Sequence, residues 1–120
     1  MKRIVLALLV AAIVIPAASA LDLGEFPLGS WFDANWDAIW EFSSNNIRIL
    51  APDGTVHYDF GAVEVQNWKY GAGGDGPYVE FDCEATGKHY KISKPLLNTK
   101  VVLEIVRPDE PDYRVEMEKR

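Results

Sequence analysis

The groups able to do covalent, acid-base or metal chemistry in this chain are two histidines, one cysteine and several small sets of carboxylates. Acyl transfer by a serine or cysteine needs a histidine within hydrogen-bond reach of the nucleophile. His57 and His89 fall on the polar phase of alternating segments, whereas Cys83 falls on the apolar phase with Val79 and Phe81. The alternation therefore sets the nucleophile and the bases on opposite faces. Both histidines are expected to be ordinary solvated side chains, because an imidazole acts as base or ligand only where a partner fixes it. Cys83, beside Asp82 and Glu84, is expected to be a buried and inert thiol, since burial and neighbouring acids raise a thiol's pKa. Two isolated histidines and no second cysteine do not supply the three or four closely spaced ligands of a zinc site.

The carboxylates form two groups, a stripe of Glu80, Asp82 and Glu84 and a loop of Asp109, Glu110 and Asp112. Calcium takes about six to eight oxygens from a dedicated loop with acids at alternating positions. The stripe lies on a strand and not in a dedicated loop, the 109–112 loop only weakly approximates the pattern, and the two read as a wet strand face and a solvated turn. The glycine-rich 71–76 segment lacks the Gly-Lys-Ser/Thr ending of a phosphate loop, and no helix follows to aim its amides at an anion. It is expected to be a hairpin tip. No catalytic residue, metal or cofactor is assigned, and the chain reads as non-enzymatic.

A binding function is instead written in the aromatic residues. Trp31, Trp36, Trp40 and Trp68, with Phe42, Tyr58 and Phe60, are suited to line a cavity for an apolar ligand, to stack on a sugar ring, or to fill a core. An eight-stranded barrel is wide enough either to be filled by side chains or to hold one small ligand. Strands of about six to eight residues and so many rings favour filling, with a pocket as the alternative.

The elements that must position these rings are strands. Residues 78–85 alternate strictly between apolar and polar, the period of a strand with one wet face. Weaker alternation puts Val56, Tyr58 and Phe60 inside, then Tyr90 and Ile92, then Tyr113, Val115 and Met117. Residues 100–107 are apolar on both faces apart from Glu104, which reads as a strand covered on both sides. Between residues 62 and 70 the apolar phase shifts from Val63 and Val65 to Trp68 and Tyr70, the mark of a β-bulge near Gln66 and Asn67. Phe32, Trp36, Ile39 and Trp40 fit a helical spacing, while Trp36, Ala38, Trp40 and Phe42 fit a strand. The favoured reading is a short turn followed by a strand beginning near Trp36. Turn residues at 43–46, 52–54, 86–87 and 108–111 punctuate the rest. The sum is an all-β antiparallel meander of about eight strands, closed as a small barrel or packed as a β-sandwich.

Residues 1–20 read as a cleaved signal peptide. Lys2 and Arg3 open it, an apolar run of about a dozen residues follows, and Ala18-Ser19-Ala20 makes a small-residue cleavage site. The run is shorter than the roughly twenty apolar residues of a membrane span, and Leu21, not a lipid-accepting cysteine, follows the cut. Residues 21–120 are then a single domain, exported to the periplasm or the exterior, with no membrane span left after cleavage. Losing the leader, which holds Lys2, Arg3 and no acid, deepens the formal net charge from −6 to −8. Phosphate-backbone binding needs a basic face, so nucleic acid is excluded as a partner. A lone cysteine forms no intrachain bridge, and stability must come from packing.

Gly29-Ser30-Trp31, opening the first strand of such a meander, resembles the Gly-x-Trp start of the lipocalin and wider calycin group. That resemblance implies a β-barrel with the tryptophan closing one end and a small hydrophobic ligand at the other. The family's Thr-Asp-Tyr element is echoed only by Pro111-Asp112-Tyr113, ahead of the last strand. Residues 36–43 also resemble short exported bacterial proteins, a likeness that carries no activity with it. The expected function is lipocalin-like binding of a small apolar molecule by Trp31, Trp36, Trp40, Phe42, Tyr58, Phe60 and Trp68. The alternative is an interaction or inhibitor module that contacts an envelope protein and has a filled core.

Overall fold

A computed structural model describes residues 21–120 apart from 25, 74 and 75, and the expected leader lies outside the described residues. The alternating segments form nine strands: β1 (Gly29–Asp33), β2 (Ala38–Ser43), β3 (Asn46–Leu50), β4 (Val56–Asp59), β5 (Val65–Gly73), β6 (Gly76–Cys83), β7 (Lys88–Ser93), β8 (Val101–Val106) and β9 (Tyr113–Lys119). All pairings are antiparallel, and helix among the described residues is limited to a 3-10 turn at Phe60–Ala62. The spatial order is β4-β3-β2-β1-β9-β8-β7-β6-β5. Two meanders, β1 to β4 and β5 to β9, are thus joined where the first strand pairs with the last. The single sheet curls into an open barrel, with β4 and β5 at its edges.

Inward residues follow the period of two and make one core: Trp31, Trp40, Phe42, Ile47, Val79, Phe81, Cys83, Tyr90, Ile92, Val101, Leu103 and Met117 are all buried. Phe60, carried by the 3-10 turn between the two edge strands, sits at its centre with no exposed surface. Its ring centroid lies 4.9 Å from Tyr58, 5.1 Å from Tyr90, 5.3 Å from Phe81 and 5.8 Å from Trp40. The turn is pinned by Asp59, whose carboxylate accepts from Gly61 N at 2.9 Å and Asn46 Nδ2 at 2.9 Å. A Cβ at Gly61 would lie 2.5 Å from Asn46 Oδ1, so a larger residue there would displace the Asn46 side chain that bonds to Asp59.

One end of the barrel is closed by the segment that precedes β1. Leu21 N donates to Asn45 O (3.0 Å), Trp68 Nε1 donates to Asp22 O (3.0 Å), and Leu23 and Phe26 are buried. Phe26 meets Phe42 edge to face at 5.1 Å. At this end the barrel is filled, as bulky rings in short strands require.

The bulge expected near Gln66 and Asn67 is present. Register with β6 slips between Gln66 and Lys69, Asn67 takes a left-handed φ of 57°, and its Nδ2 donates to Asp82 Oδ2 at 2.7 Å. Cys83 is buried as expected, 1% exposed. Other local expectations are corrected. The strand expected from Trp36 starts at Ala38, because Asp33 Oδ1 accepts from Asn35 N (2.9 Å) and Asp37 turns left-handed, which places Trp36 in a turn and 67% exposed. Val56 faces outward, 45% exposed, because β4 is a four-residue edge strand with a register slip opposite Leu50. Within the 71–76 segment expected to be a hairpin tip, Gly71 to Gly73 and Gly76 belong to the ladder, Gly71 opposite Tyr78 and Gly73 opposite Gly76. The absence of a Cβ at Gly71 lets the Tyr78 ring lie over it. β8 is covered on both faces only at Val101, Val102 and Leu103, while Val106 emerges 47% exposed.

Since Phe60 holds the two edges together from within, Phe60→Ala should cost about 3–5 kcal/mol, the range for emptying a fully buried aromatic site. Urea or guanidinium denaturation should show the midpoint falling with the slope retained.

Candidate functional site

At the end where β1 stops and β9 starts, the interior rows change character. The phase that buries Trp31 brings Asp33 inward, that of Tyr90 and Ile92 brings in Lys88, and that of Leu103 and Ile105 extends to Arg107. Tyr113 lies opposite Ile105 and shares its face. These residues and their neighbours enclose a cavity of about 350 Å³. Buried Trp40, Tyr90 and Leu103 form its inner end, Ala38, Ile49 and Ile105 its apolar walls, and Trp36, His57, Lys88 and Arg107 its rim. The volume is at the low end of the roughly 300–1,000 Å³ typical of small-molecule sites, and a mostly apolar lining with a few polar groups is their usual chemistry.

The wall between β1 and β9 is held by a buried polar cluster. Asp33, 2% exposed, accepts from the Tyr113 hydroxyl at 2.8 Å and 3.0 Å, one proton shared between its two oxygens. Asn35 Nδ2 donates to the same hydroxyl at 3.1 Å. Burial pushes the Tyr113 phenol up to about 12, with the Asp33 charge adding to the rise, so it stays a donor across the physiological range. Arg107 lies 5.8 Å from the centre of the Tyr113 ring, gives Nε and Nη2 to Pro111 O, and pairs with Glu110 at 3.2 Å. The 108–111 turn is therefore tied to the cavity rim.

Among the residues expected to contact a ligand, Trp36 and Trp40 line this cavity. Trp31, Phe42 and Phe60 are core residues, and Trp68 packs on Phe81 at 5.4 Å near the closed end. Tyr58 lies against Cys83, its hydroxyl 3.6 Å from the sulfur, and burial pushes its phenol up to about 12. The polar lining residues Asp33, Lys88, Arg107 and Tyr113 were not singled out by the aromatic reading. Their signal was present as charged residues in phase with buried ones.

The outer face carries a second arrangement. His89, expected to be freely solvated, is clamped between two acids, Nδ1 to Asp82 Oδ1 at 2.6 Å and Nε2 to Glu80 Oε2 at 2.6 Å. Both contacts are satisfied only by the doubly protonated ring. Partial burial opposes that charge, but the bonds and charges of Asp82 and Glu80 outweigh it and raise the pKa above 6.5. Asp82 is held below its usual range by Asn67 and then by His89. His57, by contrast, lies at the cavity rim.

Among the described residues no three His, Cys, Asp or Glu side chains converge on a metal-binding arrangement, and no helix is long and apolar enough to cross a membrane. Comparison with protein-family models, curated proteins and solved structures returned no match.

Two outcomes follow from this geometry. Tyr113→Phe strips Asp33 of its hydroxyl donor and should destabilise the protein by about 1–3 kcal/mol, the cost of an unsatisfied buried acceptor, read by thermal or chemical denaturation. The His89 clamp stabilises fully below the ordinary histidine value and fades as pH rises through the raised one. Melting temperature should therefore fall on going from mildly acidic to alkaline buffer, and His89→Gln should flatten that dependence.

Proposed function

We propose that this protein is a non-enzymatic exported β-barrel that binds a small hydrophobic molecule in its open end, in the manner of lipocalins. The observation that carries the reading is the cavity of about 350 Å³ walled by Trp40, Tyr90, Leu103, Ile49 and Ile105. Dry, ring-packed interior at one end and apolar space at the other is the division of labour of a one-ligand barrel. The Gly29-Ser30-Trp31 opening, the pairing of the first strand with the last, and the burial of Trp31 beneath the Lys119 ammonium at 5.3 Å lend further support. The leader-like residues 1–20 support export, and the ligand would be met in the periplasm or outside the cell.

A second reading, an interaction module of the envelope, is favoured by one observation. Leu28, Leu96 and Leu97 are exposed, Leu97 fully and with a left-handed φ of 65°. Apolar side chains held out on loops suit a protein partner.

Titration with uncharged N-phenylnaphthylamine separates the two. Ligand entry beside Trp40 should change tryptophan emission and raise the probe's own, with saturation at one site. Ile105→Trp, which fills the cavity from its wall, should weaken probe binding at least tenfold, about 1.4 kcal/mol, with the circular dichroism spectrum unchanged. No saturable binding by the wild type would defeat the ligand reading and leave the interaction reading standing.

A further inference from the structure

The charge at the mouth is opposite in sign to that of the chain. With 18 acidic against 12 basic residues, a random lining would be acidic, yet the ionisable side chains around the cavity are Lys88, Arg107, His57 and one carboxylate, Asp33. That carboxylate is already occupied, accepting from the Tyr113 hydroxyl and Asn35 N. It is therefore poorly placed to take a cationic ligand.

Lys88 differs from the other basic residues. It occupies an interior-phase position, opposite buried Cys83 and two residues before buried Tyr90. No hydrogen bond or ion pair within the described residues involves its ammonium. A lysine on the inner face of a barrel, with no partner among the described residues and beside an apolar cavity, keeps its positive charge available to an anion. Arg107, fixed by Pro111 O and by the Tyr113 ring, adds a second positive charge at the same rim; its ion-pair partner there, Glu110 at 3.2 Å, is largely exposed, so a carboxylate or sulfonate would compete with it for the guanidinium.

Resting on the ligand-binding reading above, we propose that the bound molecule is an anionic amphiphile. Its apolar body would lie against Trp40, Leu103 and Ile105, and a single carboxylate- or sulfonate-type head group would be held at the rim by Lys88 and Arg107. The acidic exterior disfavours approach of anions elsewhere, so the basic mouth is the place where a ligand of this class is selected.

Two fluorescent probes of nearly the same shape test this: N-phenylnaphthylamine and its sulfonated form, anilinonaphthalene sulfonate. The readout is the ratio of their affinities for the full-length protein. The sulfonated probe should bind about tenfold more tightly and compete with the neutral one, and added salt should shrink the difference. Lys88→Gln should bring the ratio toward one, and Lys88→Arg should preserve it. Equal affinities in the wild type, failure of the probes to compete, or a ratio unmoved by Lys88→Gln would each overturn the charge assignment while leaving an apolar site in place. Failure of both probes to bind would remove the site itself and this assignment with it.

Discussion

Two backbone pairings, Trp31 with Lys119 and Phe32 with Glu118, join the β1–β4 meander to the β5–β9 meander. Without them each half would be a separate sheet with an apolar face and an additional open edge, which is unfavourable in water and prone to pairing with other chains. The seam brings together residues almost ninety positions apart, so its loop-closure entropy has to be offset locally. One further backbone bond and several side-chain contacts do this along the seam. Arg120 N donates to Ser30 O, the Lys119 ammonium lies over the Trp31 ring, and the Arg120 guanidinium lies 3.7 Å from the centre of the Phe32 ring. At the mouth, Tyr113 on β9 closes on Asp33 on β1. The interaction that makes the sheet continuous is thus also the one that builds a wall of the cavity.

The opposite side of the barrel solves a different problem. β4 and β5 do not pair, and the gap between them is spanned by the 3-10 turn that inserts Phe60. One aromatic ring contacting Trp40, Tyr58, Phe81 and Tyr90 replaces the ladder hydrogen bonds that closure would have supplied. Aromatic contacts are tolerant of geometry, so the core accepts some imperfection. Trp31 Nε1 is buried with no hydrogen-bond partner among the described residues, a cost of about 1–3 kcal/mol that the ring's apolar burial has to exceed.

Most of the fold was legible because alternation is a direct consequence of strand geometry. The 78–85 octet, the phase shift at Gln66 and Asn67, and the burial of Cys83 all follow from a period of two. What was not legible depended on particular side-chain contacts and on strand neighbours rather than on the period. Whether Trp36 belongs to a strand was decided by the Asp33 carboxylate capturing Asn35 N, and whether 71–76 forms a tip was decided by Tyr78 covering Gly71. The exposure of Val56 depends on β4 being an edge, which no local pattern specifies. In the site, bulk was the misleading cue. Large rings stabilise most where they are packed, so Trp31, Phe42 and Phe60 went to the core, and Trp36 and Trp40 alone of the aromatic set first chosen reached the void.

The more reliable cue was the failure of alternation to remain apolar. A strand that buries Tyr90 and Ile92 but carries Lys88 on the same face is not apolar along its whole length, and the charged residue stands where the cavity opens. Arg107, in phase with Leu103 and Ile105, and Asp33, in phase with Trp31, break the apolar pattern at the same level, each met by partners of its own: Pro111 O and Glu110 for the first, Tyr113 and Asn35 for the second. All of these departures fall at one end of the barrel, across the seam and its adjoining strands. Local conflict with the binary pattern, repeated on several strands at one level, marks the place where packing gives way to the cavity. On that argument the interior is divided by sequence into a half that is packed with rings and a half where charged residues in the inward phase border the cavity.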